Sequence, residues 1–333
     1  MTSMSLLGRL LSGPTGLRCA GAATVGTLAY NWVQRPSHCE RSSAQSQPSG
    51  KALLVASPAE SKSEPSLVAS PAESNSEPSL MARCLAEAIG TGIIVAGGCG
   101  SVCAVKYAAA GTGQFGLSAA WGLSVALAVY TTRAISGAHL NPAVTCALTA
   151  IGKSAPEDAA PYIGAQCLGA FVAGLANYCI FSAGIAEMEA AAGLARGTAA
   201  STASFAGAFG MVPNTALLGA AGCVAAEVYM TAILMFLILG IGDADSGSVP
   251  AAAQPALVGA TVATLICTFG PVTGCGMNPA RDLGPRLVTL LTGWGAAAGT
   301  AWYCYTVGPV IGAVLGAYAY QELMAPQTAK KQA

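Results

Sequence analysis

Two short stretches, Asn141-Pro142-Ala143 and Asn278-Pro279-Ala280, carry the residue types best placed to act on a passing solute. Asn is a good N-cap and Pro suits the first helical position, so each stretch starts a helix. Each follows a loop that contains glycine: Ser136-Gly137-Ala138-His139-Leu140 before the first, Thr273-Gly274-Cys275-Gly276-Met277 before the second. An Asn there caps its own helix and still has an N–H to point at a solute oxygen. Arg281 follows the second stretch and falls in the first turn, where the helix dipole repels a cation. A charge at membrane depth costs roughly 2.5–3.5 kcal/mol even on the lenient insertion scale. Packing would not select such an arginine; a solute that needs fixed donors would. This is recognition rather than bond making. No nucleotide-binding loop, metal-ligand cluster or nucleophile–base pair accompanies these residues, so the chain does not read as an enzyme, and no cofactor or metal is implied.

The membrane setting follows from composition. Of 333 residues, 53% are hydrophobic and only 9% charged, against about 25% charged in an ordinary soluble protein. The chain reads as a polytopic membrane protein with a polar tail, its natural surroundings a lipid bilayer. Its net charge is zero, so nothing in it suits nucleic acid. The twelve cysteines are scattered along apolar stretches, without the pair-and-pair spacing of a zinc site. They read as small buried hydrophobes; Cys99 and Cys103 share a helix face without making a metal site.

Residues 1–80 form an N-terminal extension expected to be disordered. Its start holds Arg9, Arg18 and Arg35, several serines and no acid before Glu40. That composition fits an organelle transit peptide and fits a cytoplasmic tail equally. The membrane is therefore an organelle envelope (mitochondrial or plastid) or the plasma membrane. Within 54–79 a Ser/Pro/Glu segment repeats in tandem, Leu54–Ser66 recurring as Leu67–Ser79 with Asn75 in place of Lys62. Such a composition cannot bury enough surface to fold.

A channel domain is expected over 81–323, with a short tail at 324–333. Six runs have the length that crosses a bilayer: Cys84–Val105, Phe115–Thr132, Tyr162–Ala183, Leu217–Leu239, Ala251–Gly270 and Ala301–Tyr320. Half-helices are expected from about Asn141 to Thr149 and from about Asn278 to Leu290. Irregular backbone at membrane depth is tolerated only where it is buried in protein or lines a watery cavity, and paired broken helices in corresponding halves point to a site at the midplane. The fold class is all-α: six transmembrane helices plus two re-entrant half-helices, with the second repeat of three spans inverted. Lys153, Lys330 and Lys331 favour a cytoplasmic side that holds the first box and both termini; Asp243 and Asp245 lie there too, but acids count little.

The two boxes, set in SGAHLNPAVT and GMNPARDLGPR, resemble the aquaporin superfamily (major intrinsic proteins), whose signature is two Asn-Pro-Ala boxes. The likeness runs from about Glu87 to about Tyr320. It implies a homotetrameric channel for small neutral solutes with Asn141 and Asn278 at the pore centre. It also implies loop bracing by Glu87 and Glu227, each with Thr at i+4 (Thr91, Thr231), and by His139. The glutamates precede Asn141 and Asn278 by 54 and 51 residues. The resemblance places a selectivity filter on Trp121, Ile266, Cys275 and Arg281. An indole and an Ile opposite an Arg make an amphipathic ring, which suits glycerol: carbons on the apolar wall, hydroxyls on the donors. Asp282 with Arg286, Gly113-Gln114-Phe115, and a loop from about Gly184 to Thr215 ending in Val212-Pro213-Asn214 are similar to the glycerol-facilitator branch. Cys275, Tyr305 and Ile266 depart from it, the first two toward water channels. The expected function is passive permeation of glycerol and water, excluding protons and ions.

Two other readings stay open. One is a water-selective channel. The other is a proton-coupled transporter with Glu87 or Glu227 carrying the proton; the lack of a third acid in the expected spans counts against it. Arg133, just before the first box, either snorkels to the interface or contributes to a gate.

Overall fold

The computed structural model describes residues 77–243 and 249–324. The expected transit segment or tail, nearly all of the tandem repeat, Asp245 and the C-terminal segment with Lys330 and Lys331 lie outside these residues. Among the described residues all regular structure is helical. The long helices are α1 (Leu80–Tyr107), α2 (Gly113–Ser136), α4 (Pro156–Ala192), α6 (Thr215–Gly242), α7 (Gln254–Thr273) and α9 (Trp302–Leu323). The short ones are α3 (Pro142–Ala150), α5 (Ala199–Ser204) and α8 (Pro279–Thr289). Five helices are long and apolar enough to cross a membrane. With 22 residues, α9 matches the sixth expected span in length, while Trp302, Tyr303, Tyr305, Tyr318 and Tyr320 lower its mean hydropathy.

The two halves pack alike. In the first, α1 lies against α2 and α4; in the second, α6 lies against α7 and α9. Where the halves meet, α2 crosses α7. Each half-helix is held by the third span of the other half: α3 by α9, and α8 by α4. Lipid offers no hydrophobic drive for helices to associate, so close approach over small residues must do it. At the α2–α7 crossing, a Cβ on Gly122 would overlap the Gly259 carbonyl, and one on Gly259 would overlap that of Gly122. Gly169 of α4 meets the Ala88 carbonyl of α1 in the same way, and Gly312 and Gly316 of α9 meet Val228 and Ala232 of α6.

Helix ends place the re-entrant loops. α2 ends on left-handed Gly137 (φ 81°) and α7 on left-handed Gly274 (φ 87°), which turns the chain back into the membrane. Asn141 and Asn278 then have extended backbone (φ −160° and −142°) and cap the half-helices, with Pro142 and Pro279 in the first turn.

Two expectations need correction. The third span runs beyond Tyr162–Ala183 to 37 residues, about 55 Å at 1.5 Å per residue, well over the ~30 Å hydrocarbon core. The loop expected from Gly184 therefore begins at left-handed Gly193 (φ 64°) and contains α5 and a 3-10 turn at Ala206–Ala208. The longer α4 also includes two buried acids near its ends, Asp158 and Glu189. Both are paired. Arg83 grips Asp158 with both terminal nitrogens, and Arg196 holds Glu189 at 2.6 Å. Neutralised in this way, they let the helix outlast its apolar stretch.

Candidate functional site

The two half-helices meet at their N-termini. Asn141 Oδ1 accepts from Ala143 N at 2.9 Å, and Asn278 Oδ1 accepts from Ala280 N at 3.0 Å and Arg281 N at 3.2 Å. Each amide also reaches across. Asn141 Nδ2 donates to the Met277 carbonyl and Asn278 Nδ2 donates to the Leu140 carbonyl, both at 2.8 Å. An amide nitrogen carries two N–H groups, so one on each Asn is tied to the opposite loop and one is left. Both side chains line a cavity of about 320 Å³.

The loops before these asparagines are strained and braced in parallel ways. Ala138 and Leu140 (φ 55° and 52°), like Cys275 and Met277 (φ 59° and 53°), have left-handed backbone. Non-glycine residues hold such angles only where their surroundings over-determine them. The surroundings are the two fully buried glutamates. Glu87 accepts from Ser136 Oγ (2.6 Å), His139 N (2.9 Å), Leu140 N (2.6 Å) and Gln166 Nε2 (2.7 Å). Glu227 accepts from Thr273 Oγ1 (2.6 Å), Gly276 N (2.9 Å) and Met277 N (2.9 Å). Every one of these contacts is a donor, which suits acceptor-only carboxylates.

The i+4 threonines do not reach the carboxylates. Thr91 and Thr231 donate to the backbone carbonyls of Glu87 and Glu227, at 2.8 and 2.6 Å. His139 meets Glu87 through its backbone N–H; its ring lies 3.2 Å from Thr145 Oγ1 and edge-on to Tyr162. Two braces were not legible beforehand. Tyr162 and Tyr305 occupy equivalent places in the halves, their hydroxyls donating to the carbonyls of Ser136 (3.0 Å) and Thr273 (2.7 Å). Tyr305, marked in the sequence as a departure, is thus a loop tether.

The four expected filter residues all line the cavity and are nearly buried: Trp121 5%, Ile266 8%, Cys275 2% and Arg281 6% exposed. The Arg281 guanidinium carbon lies 4.3 Å from the centroid of the Trp121 ring, a cation–π distance. Its Nη1 donates to the Phe209 carbonyl at 3.1 Å, one of the five N–H donors a guanidinium carries. Below the filter the lining divides by chemistry. Ile94, Val125, Val144, Leu234, Ile238 and Val262 give apolar lining. Opposite character comes from the two asparagines and the re-entrant backbone, which at Gly137 and Gly276 is all there is to line with.

Asp282 does not line the cavity. Fully buried, it holds Arg286 at 2.8 Å and accepts from Met211 N at 2.7 Å. Arg286 in turn donates to the carbonyls of Met211 (2.6 Å), Ala298 (2.5 Å) and Thr300 (2.9 Å). This buried pair fixes the 209–211 segment whose Phe209 carbonyl orients Arg281. Arg133 also lines the cavity, and its Nη1 donates to the Ala251 carbonyl at 2.6 Å.

Residues 74–320 match the family described as major intrinsic protein. The chain is 39% identical over 248 residues to the glycerol uptake facilitator protein of Escherichia coli (strain K12), covering 73% of this chain and 88% of that protein. It is 40% identical over 247 residues to the Haemophilus influenzae protein of the same name, covering 72% and 93%. The propanediol uptake facilitator of Salmonella typhimurium is 41% identical over 241 residues, covering 72% and 90%. In fold it is similar to the X-ray structure of the aquaglyceroporin from Plasmodium falciparum, with a TM-score of 0.68 and 25% identity over 76% of this chain and 100% of that one.

Proposed function

The chain belongs to the major intrinsic protein family, and we propose that it is a passive channel for glycerol that also conducts water. The observation that carries this reading is the amphipathic constriction. An indole, an isoleucine and an arginine line the same cavity, the guanidinium carbon 4.3 Å from the indole centroid. A polyol puts its carbons against the first two and its hydroxyls on the third. Water alone needs no apolar wall. The names of the facilitators to which the chain is similar support the same solute class.

Below the filter the solute passes the two asparagines. Each offers its remaining amide N–H, and the α3 and α8 N-termini, facing each other, put positive dipole ends at one level. That field opposes protons and other cations, and Arg281 adds a fixed positive charge. No covalent step occurs; solutes move down their gradient. The glutamates brace the loops rather than relay protons, because their oxygens are occupied by donors from the loops themselves. We also infer a homotetramer, an assembly that suits helices whose outer faces expose Leu123, Leu127, Leu168 and Val172.

Uptake of labelled glycerol into cells that lack a facilitator of their own tests the reading. Uptake should rise linearly with glycerol concentration and ignore the pH gradient. Saturable uptake driven by a pH gradient would replace the channel with a proton-coupled carrier.

A further inference from the structure

Trp121, the indole of the proposed filter, lines the cavity. Against it lies α1. Gly98 of that helix is buried, and a Cβ added there would overlap Cδ2, Cε3 and Cζ3 of the Trp121 indole. The overlap is with the fused ring itself, not with the loose end of a flexible chain. Arg281 stands over the same ring, its Cζ 4.3 Å from the centroid. The indole thus packs against both a helix that has given up its side chain there and the guanidinium of Arg281.

The glycine has no backbone reason to be there. It sits inside α1 with helical geometry, where Gly is less favourable than Ala. Its neighbours make the case sharper: a Cβ on Gly97 would overlap Ser124 Oγ of α2, whereas the carbonyl-to-glycine contacts at Gly169 and Gly122 serve plain helix packing. Gly90 makes room in the same way for Leu140, another lining residue, but at Gly98 the space vacated belongs to the indole of the filter itself.

We infer that Gly98 is a specificity-determining positioning residue: by giving the indole room on its far side, it sets the depth of the Trp121 wall and so the largest solute the filter admits. This rests on the glycerol-channel reading. Adding one methyl group at Gly98 drives the ring toward the lumen, because α1 is pinned there by its contacts with α2 and α4. Water needs less width than a polyol, so the two permeabilities separate.

The test compares water and glycerol permeability in proteoliposomes for the wild type, Gly98→Ala, Trp121→Ala and the double variant. In Gly98→Ala, glycerol permeability should fall about tenfold and water permeability less than about threefold, the scale of an overpacking penalty placed in the lumen. In the Trp121→Ala background the same glycine substitution should leave the glycerol-to-water ratio unchanged, since there is no indole to push. An unchanged ratio in Gly98→Ala, or an equal effect with and without Trp121, overturns the inference. If Gly98→Ala does not fold, the double variant decides: folding and glycerol flux restored by removing the indole support the overlap, and continued failure refutes it. A wild type that passes water but no glycerol defeats the functional reading instead, whatever the variants do.

Discussion

Glu227→Gln isolates the bracing argument. Glu227 is fully buried; Oε1 accepts from Thr273 Oγ1 and Gly276 N, and Oε2 from Met277 N. Glutamine keeps one oxygen and the shape. Its NH2 group then faces the Met277 N–H, leaving that buried donor without an acceptor at a cost of about 1–3 kcal/mol. The two remaining bonds lose their charge assistance, a further ~0.5–1.5 kcal/mol each. The sum is about 2–6 kcal/mol, which on the scale of a domain this size lowers the midpoint of thermal unfolding by about 5–20 °C. Unfolding in detergent, followed by tryptophan fluorescence, measures it. Thr231→Val is the matched control, since Thr231 donates only to the backbone carbonyl one turn earlier; its midpoint should fall by at most about 4 °C. Equal midpoints for Glu227→Gln and the wild type would refute the reasoning, as would a Thr231→Val variant as unstable as Glu227→Gln. A carboxylate kept for proton transport would give another pattern: an intact fold and lost pH-driven uptake.

Other outcomes follow from the same contacts. Mercurials should block solute flux through Cys275, which lines the cavity, and Cys275→Ser should be insensitive; undiminished block in that variant removes Cys275 from the filter. Asp282→Ala leaves Arg286 buried without its counter-charge and should destabilise by about 3–5 kcal/mol. It should also speed proteolysis in the 193–214 connection, and a wild-type cleavage pattern would contradict the clamp. Tyr305→Phe removes one tether, the bond to the Thr273 carbonyl, and should cost about 1–3 kcal/mol, read as a midpoint shift smaller than that of Glu227→Gln.

The parts visible in the sequence are those written twice. Both Asn-Pro-Ala boxes, their preceding loops and a glutamate one span earlier recur at matching intervals, and the structure brings each set together. The partners of the glutamates lie far along the chain: the Thr at i+4 bonds the i−4 carbonyl, and the carboxylate is satisfied by loop N–H groups 49–53 residues downstream. Span ends were misplaced for a related reason. Hydropathy stops at Asp158 and Glu189, whereas their arginine partners lie 75 residues before and 7 residues after. The tyrosine tethers, the Arg286 clamp and the room that Gly98 leaves for Trp121 all depend on contacts between distant segments, which periodicity does not carry.

The central claim is a filter that passes a polyol. Stopped-flow light scattering on proteoliposomes tests it most directly, comparing shrinkage under an impermeant osmolyte with re-swelling under glycerol. The account predicts fast shrinkage followed by fast re-swelling, both well above empty liposomes. Fast shrinkage without re-swelling would contradict it: Ile266 would then close the ring to glycerol, and the pore would pass water alone.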